Sequence, residues 1–150
     1  MIEGVIIKKI EKFTDERGWL AEVWRNDELK YAPAMSYVSI TKPGMVRGPH
    51  EHKEQSDFFV FAGPGIFKLY LWDNRKGSKT FGQNEVLEVG ENNPVAVLVP
   101  AGVVHGYKCV SAEPAYSFNL PDKVYKGESK KEEVDEIRWE KDPASPFKIE

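Results

Sequence analysis

Three histidines and one aspartate carry the chemistry this sequence is equipped for. His50 and His52 stand two residues apart in MVRGPHEHKEQSDFFVF, Asp57 follows five residues after His52, and His105 lies downstream in VPAGVVHGYK. Neutral imidazoles with a hard carboxylate oxygen are a donor set for Fe, Mn, Ni or Zn. Imidazole is also the side chain whose ordinary pKa suits it to take a proton near neutral pH. Residues two apart on a strand point to one face. His50 and His52 therefore project together if RGPHEHK is extended, with Arg47 on the opposite parity unless a bulge intervenes. A lone histidine on a strand is more often a hydrogen-bonded core or surface residue, so the case rests on all three meeting.

The elements that must bring them together read as strands. GVIIKKIEKF and GWLAEVWR flank TDERG, whose Asp, Arg and Gly suit a turn. MSYVSIT alternates, with Met35, Tyr37 and Ser39 on one face. DFFVFAGPGIFKLYLWDNR predicts a hairpin of two aromatic strands around Gly63-Pro64-Gly65. EVLEVGENNPVAVLVPAG and GYKCVSAEPAYSFNL predict two further strand pairs. Helix is scarce. NDELKYA suits one turn behind Asn26 or Asp27 as cap, and the charged stretch GESKKEEVDEIRW predicts a solvated loop or short helix in a partly mobile C-terminal region. Many short strands with Gly/Pro turns imply an all-β sandwich or barrel, here a single domain over 1–150.

Composition excludes several classes. A net charge of −3 and a pI near 5.7 leave no basic excess to neutralise nucleic acid. The one cysteine, Cys109, rules out an internal disulfide and fits a reducing cytoplasm. MIEGVIIKKIEKF holds no apolar run of signal-peptide or membrane-span length. A cytoplasmic protein with no membrane partner is expected.

The spacing Gly44-x5-His50-x-His52-x4-Asp57-x5-Gly63 resembles the first signature of the cupins, and Pro100-x-Gly102-x2-His105 resembles the second. Cupins are jelly-roll barrels, which agrees with the strand-rich reading. Within them, DERGWLAEVWRND, GMVRGPH, LWDNRKGSKTFG, VPAGVVHGY and IRWEKDP resemble the dTDP-4-dehydrorhamnose 3,5-epimerase family, in the same order over roughly Val5 to Pro143. That resemblance implies isomerisation of a nucleotide-linked 4-keto-6-deoxy sugar with no metal or other cofactor, in a homodimer. It makes His50 the general base and places His52 and His105 near the ketone oxygen. Arg17 and Arg47 match arginines that hold the diphosphate, a task suited to guanidinium forks. As metal ligands, His50, His52, Asp57 and His105 form the alternative.

The chain also departs from the family. The family's lysine beside the ketone falls on Asp57, and its proton-donating tyrosine falls on Phe118, with Tyr116 two residues away as a substitute donor. The residues that read the nucleotide fall on Met35 and Tyr37. The tail bearing an aspartate that orients the base has no counterpart before Glu150. RGPHEHK further resembles a stretch of the dTDP-sugar 3,4-ketoisomerases, which carry a tyrosine where this chain has Tyr37 and need a base on one face only. A sugar-binding or metal-dependent cupin is the reading from another class.

Overall fold

The computed structural model describes residues 1–150. Its strands are β1 (Ile6–Lys9), β2 (Phe13–Asp15), β3 (Gly18–Leu20), β4 (Tyr37–Thr41), β5 (Val46–Glu51) and β6 (Asp57–Phe61). β7 (Ile66–Asp73), β8 (Asn84–Gly90), β9 (Val95–Val99), β10 (Val103–Cys109), β11 (Ala115–Asn119) and β12 (Ile137–Arg138) follow. One sheet runs β1-β9-β6-β11-β4 and the second β12-β5-β10-β7-β8, while β2 and β3 form a small separate hairpin. Every pairing is antiparallel, and the two large sheets enclose one aromatic and aliphatic core that includes Phe59, Phe61, Phe67, Leu69, Leu71 and Val97. This is the expected all-β jelly-roll architecture.

The hairpin predicted around Gly63-Pro64-Gly65 does not form, and the strands of the two further predicted pairs do not pair with each other. β6 and β7, β8 and β9, and β10 and β11 each lie in opposite sheets. A Gly/Pro turn dictates a chain reversal but does not choose the strand's partner. The ladder groups of β6 are taken by β9 and β11, and those of β7 by β10 and β8. Gly65, at φ +84°, makes the corner: a Cβ there would stand 2.5 Å from that of Ala115.

β6 explains its own sequence. Asp57, Phe59 and Phe61 face the core, while Phe58 and Val60 face a second cluster on the outer side of the sheet. A strand buried on both faces shows a continuous apolar run instead of alternation. Its outer side is covered by Ala21, Val23, Trp24, Leu29 and Tyr31. NDELKYA accordingly forms turns, not a helix. The Tyr31 hydroxyl reaches the carbonyls of Leu120 (2.6 Å) and Ser56 (3.0 Å), holding this segment on the sheet.

The charged C-terminal stretch is tied down as well. Ile137 and Arg138 pair with Glu51 and His50 on β5. The Asp135 carboxylate accepts the backbone N–H groups of Lys53, Glu54 and Gln55, each at 2.9 Å. Only single 3-10 turns, Glu128–Lys130 and Trp139–Lys141, stand where a short helix was an option.

The motif DNRKGSKT is a turn organised around one buried carboxylate. Asp73 accepts from Arg75 Nε and Nη2 (both 2.8 Å) and from the hydroxyls of Ser78 and Thr80 (both 2.6 Å). Burial pushes this carboxyl up, but those donors outweigh it and hold it well below the usual 3.8. The turn supports the site through Gly102, whose N–H donates to the His52 carbonyl (2.8 Å) and whose carbonyl accepts from Asn74 (3.3 Å). Asp73→Asn should cost about 3 kcal/mol in urea denaturation, the lower end of the range for breaking a buried ion pair because Arg75 is partly solvated. A depressed folded pKa means the contribution is present above the ordinary carboxylate value and lost as pH falls below it. Wild type should therefore lose more stability on acidification than the variant.

Candidate active site

Three strands of two sheets supply the cluster. β10 alternates Val103, His105, Tyr107 and Cys109 into the core. His50 lies directly opposite His105 on β5. The register then jumps from His105↔His50 to Tyr107↔Arg47, so three residues of β5 oppose two of β10. This bulge gives Arg47 the same side as His50, which strict alternation denies it. Gly48 sits in the bulge at φ +85°, where a Cβ would be 2.7 Å from the His105 carbonyl oxygen. Asp57 enters from β6 in the opposite sheet.

The Asp57 carboxylate is the hub. Its Oδ2 lies 3.1 Å from His52 Nε2 and 3.1 Å from His105 Nε2. Neither approach has hydrogen-bond alignment, and Asp57 Oδ2 and His105 Nε2 have no hydrogen-bond partner. Its Oδ1 accepts from Gln55 Nε2 (2.9 Å) and Asn119 Nδ2 (2.8 Å). On the far side of each ring, His52 Nδ1 meets the Asp135 carbonyl and His105 Nδ1 the Val103 carbonyl at 3.0 Å. Burial pushes the Asp57 carboxyl up, yet the two imidazoles outweigh it and hold it well below the carboxylate range. Burial pushes His52 down, and its contact with Asp57 overrides this and lifts it to about 9.

His50 differs from its neighbours. Its ring stands edge-on to that of His105, centroids 4.5 Å apart, and its side chain keeps 17% exposure. Nδ1 is 3.9 Å from Glu136 Oε1, and the other oxygen of Glu136 accepts from Arg138 Nε at 2.6 Å. Burial first, then the adjacent His105, hold the His50 pKa well below 6.5, which leaves its ring neutral and able to accept a proton. One donor atom from each of His50, His52, Asp57 and His105 falls within 4.8 Å of the others, so the four are also a fitting donor set for a divalent ion.

Above the cluster opens a cavity of about 1290 Å³ lined by Tyr37, Arg47, His50, His52 and Tyr107, and walled by the segment from Pro121 to Glu140. His105 and Asp57 lie just beneath it, almost fully buried. The Tyr37 hydroxyl accepts from Asn119 Nδ2 at 2.9 Å, which leaves its own proton free; burial raises its pKa to about 12. Arg47 is fixed by Thr41 Oγ1 (2.8 Å) and the Ile40 carbonyl (2.9 Å).

Two sequence-predicted residues are not brought to this cavity. Tyr116 shares the parity of Phe118, which points outward, while Ser117 and Asn119 face the interior. Strand alternation thus removes Tyr116 as a donor here. Arg17 lies on the tip of the β2–β3 hairpin, 85% exposed and paired with Asp15. Gln55, Asn119, Tyr107 and Glu136 were missed. Asn119 and Tyr107 were legible as inward positions of alternating strands, whereas Glu136 was hidden in a run of charges.

The family model for dTDP-4-dehydrorhamnose 3,5-epimerase matches residues 1–145. The chain is 40% identical over 116 residues to the spore coat polysaccharide biosynthesis protein SpsL of Bacillus subtilis, covering 76% of each. It is 36% identical over 135 residues to the probable low-salt glycan biosynthesis epimerase Agl13 of Haloferax volcanii, covering 88% of this chain and 86% of the relative. Its fold superposes on a dTDP sugar isomerase from Desulfovibrio desulfuricans with a TM-score of 0.84, at 21% identity over 98% of this chain and 91% of that one. A match to the family model across nearly the whole chain, over a jelly-roll with histidines converging beneath one cavity, means that this chain belongs to the dTDP-4-dehydrorhamnose 3,5-epimerase family of carbohydrate epimerases.

Proposed function

We propose that this protein isomerises a dTDP-linked 4-keto-6-deoxy sugar by removing the proton on a carbon beside the C4 ketone, with His50 as the base. One observation carries the reading: of the three clustered imidazoles, His50 keeps the most exposure to the cavity, and burial beside His105 holds its pKa low. Proton abstraction there generates an enolate, whose oxygen needs electropositive or donor groups already in place. His52, lifted to about 9 against burial by its contact with Asp57, brings positive charge to the cavity floor near that oxygen. Tyr37 takes the role of proton donor in place of Tyr116, because its hydroxyl faces the cavity with its proton uncommitted.

Arg47 is the diphosphate ligand within the chain. Arg17 reaches a substrate only by docking its hairpin against a second copy, which supports the expected homodimer. The hairpin's exposed Phe13, Trp19 and Leu20 agree with such docking. No helix is long and apolar enough to cross a membrane, and a nucleotide sugar is a cytoplasmic metabolite, so the cytoplasm is the compartment we assign. The names of the two relatives support a place in building surface polysaccharide or glycan. A second reading, 3,4-keto isomerisation through His50, His52 and Tyr37, draws on the outward placement of Tyr116 and Phe118.

Three measurements check these roles. His50→Asn should fold normally by circular dichroism and lower turnover of a dTDP-linked 4-keto-6-deoxy sugar by about 10²–10⁴-fold, the usual contribution of a general base. Wild-type turnover in that variant would remove the base assignment. Arg47→Ala should weaken dTDP-sugar binding by about 1.5–3 kcal/mol in calorimetry, the range for a hydrogen bond to a charged group; an unchanged dissociation constant would make Arg47 merely structural. Tyr37→Phe should depress kcat while Tyr116→Phe leaves it near wild type, and the reverse pattern would restore Tyr116 as donor.

A further inference from the structure

We infer that Glu136 is a positioning residue for His50, its carboxylate accepting the Nδ1 hydrogen so that a bare Nε2 is presented to the substrate. With His50 as the base of the proposed isomerisation, this role follows from the register of β12, a strand of two residues. Ile137 lies opposite Glu51 and Arg138 opposite His50. Residues directly opposite on antiparallel strands project to one side, and residues two apart share a side. Arg138 and Glu136 therefore stand on the His50 side of the sheet, and both line the cavity. The segment is pinned before and after them. Asp135 accepts the N–H groups of Lys53, Glu54 and Gln55, and the Trp139 indole donates to Glu51 Oε2 at 3.2 Å.

The two oxygens of Glu136 are already sorted. Arg138 Nε donates to Oε2 at 2.6 Å, which leaves Oε1 aimed at His50 Nδ1, 3.9 Å away. Asp57 is not free for this task, because His52 and His105 flank its Oδ2 while Gln55 and Asn119 donate to its Oδ1. The other groups around the ring are His105, edge-on at 4.5 Å between centroids, His52 at 5.8 Å, and Arg138 across the ladder. The Glu136 approach stands just outside hydrogen-bond reach. Contacts of this kind are often long in free enzymes and tighten when substrate binds. Both side chains keep only 17% exposure, so the contact is mostly shielded from water.

A neutral imidazole carries its hydrogen on one nitrogen, and only the other can take a proton. The partner of the first nitrogen decides which one that is. A carboxylate at Nδ1 selects the tautomer with Nε2 bare, and it stabilises the imidazolium that forms once Nε2 has taken the proton from carbon. Arg138 serves the same end indirectly, since its hold on Oε2 keeps the carboxylate from turning away. The aspartate that the family resemblance assigns to this task has no counterpart before Glu150. Glu136 comes from another part of the chain, the residue that leads into β12.

An amide in place of the carboxylate tests the role. In Glu136→Gln, Arg138 Nε takes the amide oxygen and the NH₂ group is left facing His50 Nδ1. A donor there selects the opposite tautomer, with the hydrogen on Nε2, whereas Glu136→Ala selects neither. Glu136→Gln should therefore lower kcat more than Glu136→Ala does, by about 10–10⁴-fold, the upper figure being what the wrong tautomer costs a serine-protease triad. KM for the dTDP-linked sugar should stay near wild type in both variants. A merely structural residue gives the reverse order, because Gln keeps the shape of the wall and Ala does not; that order overturns the inference. Long-range ¹H–¹⁵N NMR of protein labelled with ¹⁵N-histidine reads the tautomer without substrate. The chain has three histidines, and the spectrum of His50→Asn identifies the His50 signals. Near neutral pH, where burial and then His105 keep the ring neutral, wild type should carry the hydrogen on Nδ1 and Glu136→Gln on Nε2. Hydrogen on Nε2 in wild type overturns the role of Glu136 even where the sugar is turned over. The Nδ1 tautomer in a protein that turns over no dTDP-linked keto sugar supports the Glu136 contact and overturns the isomerase reading instead.

Discussion

A carboxylate placed at the head of a strand that is buried on both faces has to be satisfied by whatever the fold brings to it, and Asp57 imposes that requirement on the whole molecule. An unpaired buried charge is among the most costly features a core contains. Here the compensation comes from across the sandwich. His52 follows β5 and His105 lies within β10, both on the sheet facing β6, while Asn119 arrives from β11 and Gln55 from the loop before β6. The cluster thus joins the two sheets at one end of the core. Loss of the carboxylate would leave two histidines and two amides without their common partner.

The same constraint separates the three histidines into distinct kinds. Those that touch Asp57 are buried, each with its Nδ1 against a backbone carbonyl. His50, two residues before His52, escapes the carboxylate and keeps a face toward the cavity. Its position depends on the β5 bulge, which also swings Arg47 to the same side, and on Gly48, the one residue type that tolerates the close approach of the His105 carbonyl. A proton-accepting imidazole and a phosphate-binding guanidinium are in this way delivered to one cavity by a single irregularity in one strand.

Much of this was legible from residue spacing. The parity of His50 and His52, the strand-rich composition and the order of the motifs indicated a jelly-roll with converging histidines, and the fold agrees. Strand partnership was not legible, because Gly63-Pro64-Gly65 and its counterparts encode reversals while pairing depends on distant segments. The family resemblance offers Tyr116 as a substitute donor because it stands two residues from Phe118 on the same strand face, and the alternation of β11 turns that face away from the interior. Glu136 and Asp135 belong to a charge run whose pattern gives no sign of inward projection. They acquire partners only once Ile137 and Arg138 pair with β5.

The account turns on proton removal beside a ketone, and the fate of solvent hydrogen reads that step directly. Wild-type protein incubated in deuterium oxide with a dTDP-linked 4-keto-6-deoxy sugar should place deuterium on C3, on C5 or on both, as followed by proton NMR. The position of the label also identifies which carbon His50 faces. Conversion of the sugar with no solvent deuterium at either carbon, or binding without any exchange, would contradict the account.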